Sequence, residues 1–275
     1  MSMDMASQLM AATVEVEQAL PDGRHMIGTG FLVSDPTPAG RPRTVLVTAA
    51  HVLNKMPGAR ANIGYRVQGK DGGWRYDPKP LAIRAGGAPL WARNADRDVA
   101  AIEVTAPPEF ARAAIPLAWL AGGDAFARPT IGPGDEMLIL GYPQGLSANS
   151  AGFPILRSGR VASPIDAPEV SPTFLLDFRV FPGNSGGPVF TTTTTGEAGK
   201  AEPVVVGMLT QQVELNNERL EIGVVTASPF IRDAVALLDK PASGHTTLAA
   251  AAPASPAPDA PAQDASAWVG TKISE

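Results

Sequence analysis

The sequence predicts an all-β fold, a barrel or sandwich of short strands. Three observations predict it. Segments of strand composition recur from Thr13 to Thr226, with Gly, Pro and Asp clusters between them. Helical periodicity is confined to a few short stretches. The 275 residues suit one large β unit or two small ones with ample core, and 18% charged against 44% hydrophobic residues is ordinary for a globular chain.

Taken in order, Met1 to Ala12 has no basic start and no sustained apolar run, so no signal peptide is expected there. Thr13 to Glu17 alternates Val14 and Val16 with Glu15 and Glu17, the pattern of a half-buried strand. Asp22-Gly23 is a hairpin turn signal leading into a strand over Arg24 to Val33. Further strands are expected at Thr44 to Val47, Ala61 to Val67, Leu81 to Arg84 and Val99 to Val104, with a short helix over Ala49 to Lys55. Pro107 to Pro133 is dense in Pro, Gly and Ala and reads as a crossing between halves, carrying a helical turn within Arg112 to Leu120. The second half offers strands at Glu136 to Leu140, Ile155 to Ala162, Thr173 to Val180, Val189 to Thr192, Val204 to Gln211 and Leu220 to Thr226. Thr191 to Gly199 reads as an exposed hairpin loop.

Ser228-Pro229 supplies an N-cap and a proline for the first helical turn. Ile231, Ala234, Val235 and Leu238 then share one face, which predicts a C-terminal helix packed on the second half and ended by Lys240-Pro241. From Ala242 the Ala/Pro/Ser/Asp composition predicts a disordered tail, with Trp268 free in it.

Charge and residue usage exclude several function classes. Net charge is −5 with no Lys/Arg cluster, so neither nucleic acid nor an anionic membrane is an expected partner. No stretch is long and apolar enough to span a membrane. There is no cysteine, so the fold does not rely on disulfides and the cytosol is permitted; with no signal peptide expected, a cytoplasmic location is the expectation. Three scattered histidines and no cysteine give no ligand cluster, so no metal or other cofactor is expected.

Chemistry is concentrated in Phe181-Pro182-Gly183-Asn184-Ser185-Gly186-Gly187-Pro188-Val189. A serine nucleophile must stand clear of its own backbone while amide N–H groups converge on one point, and glycine enters the backbone conformations this needs at low cost. The competing reading is a tight turn between strands. A histidine and a carboxylate in workable order decide between them. His245 lies in the tail and His25 in a strand, whereas His51 follows an apolar strand and small residues in Val45-Leu46-Val47-Thr48-Ala49-Ala50. Asp98 opens the apolar run Val99 to Val104, where a carboxylate needs a partner to offset its desolvation. Asp96 competes, and Asp98 is preferred because it directly precedes that run. Gly183-x-Ser185-x-Gly187 also fits the elbow of α/β-hydrolases, but that fold requires acid and histidine after the serine. An order of acid, histidine, serine starting from Asp35 would need a helix-covered parallel sheet, and too few helical segments exist. His51, Asp98, Ser185 is the remaining order.

With that order, five stretches carry a resemblance: Gly28-Thr29-Gly30-Phe31-Leu32-Val33, Thr48-Ala49-Ala50-His51, Asp98-Val99-Ala100, Gly141-Tyr142-Pro143 and Gly183-Asn184-Ser185-Gly186-Gly187-Pro188. The sequence resembles a chymotrypsin-fold (trypsin-like) serine peptidase, nearest the bacterial trypsin-like and Deg-type group, over roughly residues 10 to 240. The resemblance implies two antiparallel β-barrels, expected at 1–118 and 119–240 before a tail at 241–275, with a short C-terminal helix and the site between the barrels. It implies endopeptidase activity on a protein or peptide substrate, with Ser185 as nucleophile, His51 as base, Asp98 orienting it, and the N–H groups of Gly183 and Ser185 as oxyanion hole. It places pocket walls near Arg179, Thr210, Gln211 and Gly223. Arg179 would favour an acidic side chain, or else face outward from its strand. Asn184 stands where trypsin zymogens keep an aspartate, and no Ile-Val-Gly-Gly start is present, so activation by N-terminal cleavage is not expected. A non-catalytic scaffold of the same fold, and a peptidase gated by a partner or regulator, are the alternatives.

Overall fold

In the computed structural model, the hairpin signalled by Asp22-Gly23 joins β1 (Thr13–Ala19) to β2 (His25–Pro36), with Leu20 N–H on Arg24 O at 2.8 Å and Gly23 at φ +83°. The structure describes residues 5–36, 42–94, 97–123, 126, 131–168, 170–191, 204–216 and 218–239. Asp96, the Thr192–Gly199 loop, His245, Trp268 and the expected tail lie outside them.

The first half continues with β3 (Pro42–Thr48), β4 (Arg60–Gln68), β5 (Trp74–Ala82), β6 (Arg84–Ala85), β7 (Ala88–Pro89), β8 (Ala92–Asn94), β9 (Val99–Val104) and β10 (Ile115–Pro116). Its eight-stranded sheet runs in the order β5-β4-β1-β2-β3-β9-β8, with β10 parallel beside β2, while β6 and β7 pair separately. Val14, Val16, Phe31, Leu46 and Ile63 are buried in one core that this sheet surrounds. The second half is β11 (Glu136–Gly141), β12 (Ile155–Val161), β13 (Thr173–Asp177), β14 (Pro188–Thr191), β15 (Val204–Leu215) and β16 (Glu218–Ala227), closed as a barrel in the order β11-β12-β13-β16-β15-β14. Closure leaves no free edge. Met137, Ile139, Leu176 and Val225 fill its interior.

Helices accompany the sheets, among them α1 (Met5–Ala12), α2 (Ala50–Lys55), α3 (Pro108–Ala113) and α4 (Ser228–Ala236). Among the described residues, none is long and apolar enough to cross a membrane.

Several elements depart from the sequence reading, each for a physical reason. The strand expected at Leu81 to Arg84 begins earlier, at Trp74, and breaks at Ile83, where the N–H groups of Ile83 and Arg84 both turn to Ala59 O at 2.9 and 3.1 Å. Pro78 and Pro80 are tolerated in β5 because it is an edge strand, where a missing N–H costs no ladder bond. The helical turn expected within Arg112 to Leu120 is split into α3 and a 3-10 turn at Leu117–Trp119, because Pro116 forces Ile115 out of helical conformation and into pairing with β2. The sequence reading assigned no helix to Met5–Ala12, yet α1 forms and buries Leu9 and Ala12. Ser228 does not cap α4 through its side chain; its hydroxyl donates to Ala121 O at 2.8 Å.

The largest difference concerns where α4 packs. Ile231, Ala234 and Val235 join the first-half core, not the interior of the closed barrel alone. Arg43 fixes this placement. Its guanidinium pairs with buried Asp35 at 2.7 Å and with Asp239 at 2.8 Å, and donates to Val235 O at 3.3 Å. The chain thus leaves the second half and returns to the first, so the two halves share packed side chains. We predict that Ile231→Ala, which removes fully buried volume at this junction, lowers unfolding free energy by about 2–5 kcal/mol in urea titration.

Candidate active site

Register alone brings His51 and Asp98 together. β3 and β9 are antiparallel with Thr48 opposite Ala100, so the residues just after Thr48 meet those just before Val99. Ala50 N–H donates to Asp98 O at 3.2 Å. The carboxylate then takes two bonds from one residue: His51 backbone N–H to Oδ1 at 2.8 Å, and the ring Nδ1 to Oδ2 at 2.5 Å. Two contacts of this kind fix both the position of α2's first turn and the ring plane. With Nδ1 as the donor, Nε2 carries a lone pair free to accept a proton.

Ser185 stands in the turn that leads into β14. Asn184 N–H bonds Phe181 O at 3.0 Å and Gly187 N–H bonds Asn184 O at 3.0 Å, closing the turn locally. Gly186 N–H on Leu209 O and Leu209 N–H on Gly187 O, at 2.8 and 2.9 Å, tie it to β15. Glycine is required at two points. Gly183 has φ +94° and a Cβ there would collide with Tyr142 O; Gly186 has φ +93° and a Cβ would collide with Thr29 O. The Ser185 hydroxyl donates to Thr210 O at 3.2 Å.

The peptide between Pro182 and Gly183 has a fixed orientation. Pro182 O accepts from Gln144 N–H at 2.6 Å. Because a trans peptide points its N–H opposite to its carbonyl, Gly183 N–H is turned away from the Gln144 turn. Among the described residues, neither Gly183 N–H nor Ser185 N–H donates to a protein acceptor. Gln144 itself is held at φ 56°, in the left-handed region that a side chain rarely enters.

His51, Asp98, Gly183 and Ser185 all border one cleft of about 790 Å³, between the two halves. Thr210 and Gln211 also border it. The Thr210 side chain is buried, sharing hydrogen bonds with Val224 O and Thr226 Oγ1 at 3.2 Å, so it offers the cleft its carbonyl. Arg179 and Gly223 do not border the cleft. Arg179 lies on the outward side, paired with exposed Glu221 at 3.1 Å and stacked over Phe181 at 5.1 Å, which removes the basis for an acid-binding role. At Gly223 the space is taken by Leu209, Val180 and Phe178. His25 is exposed on the cleft rim, against Glu17. No group of ligands able to hold a metal occurs among the described residues.

Thr29 was not singled out as a site residue from the sequence, yet it joins the halves here. Its hydroxyl donates to Gly183 O at 2.6 Å and accepts from Tyr142 N–H at 3.1 Å, while its N–H donates to Ser185 O at 2.9 Å. Thr48 Oγ1 in turn donates to Thr29 O at 2.6 Å. The only signal in sequence was a polar residue between two glycines in an otherwise apolar strand.

A family model described as a trypsin-like peptidase domain matches residues 28–198, a span that contains His51, Asp98 and Ser185. The chain belongs to the trypsin-like peptidase domain family. No curated protein matches it. Among solved structures it is similar to an HtrA-type protease AlgW variant with a tripeptide, at TM-score 0.52 and 14% identity, covering 85% of this chain and 62% of that one. It is also similar to HtrA-type protease AlgW with a decapeptide, at TM-score 0.50 and 15% identity over 85% of this chain and 66% of that one. A third is the Rv3671c protease from M. tuberculosis in its active form, at TM-score 0.50 and 18% identity, covering 86% and 85% of the two chains. The chain therefore has the chymotrypsin-like fold of these trypsin-like proteins, and spans less than two thirds of the first AlgW chain.

Thr29 gives a test of the site's construction that does not depend on activity. Thr29→Val keeps shape but leaves Gly183 O and Tyr142 N–H, both in buried residues, without their partner. We predict destabilisation of about 1–3 kcal/mol for each group left unpaired, read from urea unfolding.

Proposed function

We propose that this chain is a serine endopeptidase acting on protein or peptide substrates through His51, Asp98 and Ser185. The observation that carries the reading is the two-point hold of Asp98 on His51, beside a cleft that also receives Ser185 and the two undonated N–H groups of Gly183 and Ser185. That is the set of parts acyl transfer needs: nucleophile, base, orienting acid and oxyanion donors.

Each residue then has one task. The Ser185 hydroxyl leaves Thr210 O by rotating about its Cα–Cβ bond and gives its proton to His51 Nε2 as Oγ attacks the scissile carbonyl carbon. Asp98 keeps Nδ1 protonated and stabilises the imidazolium that forms. The carbonyl oxygen, now anionic, takes hydrogen bonds from Gly183 and Ser185 N–H. His51 returns the proton to the departing amine, leaving Ser185 as an acyl ester. Water, deprotonated by His51, then releases the acid and restores the serine.

Cleavage within a chain suits the shape of the cleft. Val180, Thr210 and Gln211 border it on one side and Ile27, Val52 and Lys55 on the other, so a peptide can enter and leave past Ser185. The AlgW structures contain a tripeptide and a decapeptide, which supports a peptide as ligand. Beside Ser185 the wall from Val180 to Gly183, with Thr210 and Gln211, carries no charged side chain. A small or aliphatic residue before the scissile bond is therefore favoured over Lys, Arg, Asp or Glu.

We predict that Ser185→Ala abolishes both peptide turnover and fluorophosphonate labelling, and that Asp98→Asn lowers kcat by about 10⁴ by stabilising the wrong tautomer of His51. Retained labelling in Ser185→Ala rejects the nucleophile assignment. A peptide-library profile tests the second point: cleavage mainly after charged residues contradicts the uncharged wall.

A further inference from the structure

Arg66 is a buried arginine on β4, 1% exposed, with no carboxylate partner among the described residues. It lies between the rings of Phe110 and Phe153, at 5.0 and 4.7 Å from their centroids. Every N–H bond it makes from its two terminal nitrogens goes to a neutral oxygen. Nη1 donates to Tyr142 Oη and Gly152 O, each at 3.0 Å; Nη2 donates to Ala11 O at 2.7 Å, Thr13 O at 2.9 Å and Met10 O at 3.4 Å. A buried cation without a counter-ion is costly, so the groups it fastens together are held strongly or the site does not form.

Those groups belong to two distant parts of the chain. Met10, Ala11 and Thr13 are the end of α1 and the start of β1. Tyr142 and Gly152 bracket the turn whose Gln144 N–H holds Pro182 O. Tyr142 also contacts the nucleophile turn directly: its N–H reaches Thr29 Oγ1, which bonds Gly183 O, and its carbonyl occupies the space a Cβ on Gly183 would need. Burial pushes the Tyr142 phenol up to about 12, so it stays neutral, accepting from Arg66 and donating to Gly152 O at 3.0 Å.

We propose that Arg66 is a positioning residue for the oxyanion hole: by clamping Tyr142 to the end of α1, it holds the turn that aims Gly183 N–H at the reacting carbonyl. The inference rests on the serine-peptidase reading above and adds to it a dependence of that hole on helix α1.

The test uses the full chain, a chromogenic peptide substrate and a peptidyl boronic acid, whose tetrahedral adduct needs the oxyanion donors. In Arg66→Met, kcat falls by about 10- to 100-fold, less than the ~10²–10³ expected for losing a donor outright, while KM stays within about twofold. The boronate Ki rises in step with the fall in kcat. Tyr142→Phe, which removes only the hydroxyl, shifts both in the same direction by about fivefold, and the double variant is no worse than Arg66→Met alone. Where Arg66→Met does not fold, Tyr142→Phe decides. A folded variant with unchanged kcat and boronate Ki, or with a raised KM alone, overturns the proposal while leaving the parent reading intact. Turnover surviving in Ser185→Ala, or a wild-type chain that neither cleaves the peptide nor binds the boronate, overturns the parent reading and this proposal with it.

Discussion

The structure depends on one hydroxyl at the seam between its halves. Thr29 sits on a first-half strand, yet its side chain and N–H satisfy the carbonyls of Gly183 and Ser185 and the amide of Tyr142, all from the second half. Gly183 and Tyr142 are buried, so their groups would otherwise lack a partner. The seam therefore does two things at once. It satisfies main-chain groups that neither half could satisfy alone, and it sets the Ser185 turn against β2, which pairs with the strand leading toward His51. The seam thereby brings Ser185 to the cleft that His51 also borders.

Strand pairing carries the other half of the site. The antiparallel register of β3 against β9 delivers Asp98 to His51, and α4 packs against β9 and β8 on the first half and β15 on the second. A segment that follows Ser185 in sequence thus packs against the strand that Asp98 leads into. Arg43 reinforces it by joining β3 to the helix end.

Much of this was legible in the sequence, and the reasons are physical. Period-2 strands such as Thr13–Ala19, the apolar run after Asp98 and the glycines around Ser185 are local signals, each written in adjacent residues. What stayed illegible depends on partners far along the chain. Arg66 and Tyr142 are 76 positions apart, and Thr29 and Gly183 are 154 apart; one is an ordinary basic residue in a strand, another an ordinary threonine. Arg179 was left open between the cleft and the outward side, and no strand alternation could decide it, because β13 ends at Asp177 and Arg179 follows it. The packing of α4 on the first half as well as the second was missed because an apolar stripe says that a helix is buried and does not say against what. β5 was misplaced because two prolines lower strand propensity without excluding an edge.

Asn184 sits inside the Ser185 turn. It is 1% exposed, and among the described residues its Oδ1 has no partner. A carboxylate at this buried point would require a cation to reach it, and the turn would stay unsettled until one arrived. The neutral amide removes that requirement. Orientation of the Pro182–Gly183 peptide must then be fixed by other means, because glycine alone has little preference between the two faces. The Gln144 N–H supplies the bias from a residue held in the left-handed region, an arrangement costing about 1–3 kcal/mol that only a firmly anchored turn sustains. Tyr142, fixed by Thr29 at its amide and by Arg66 at its phenol, is that anchor. The aim of one amide in the cleft thus traces back through a strained turn and a tyrosine to a buried cation at the foot of the first helix.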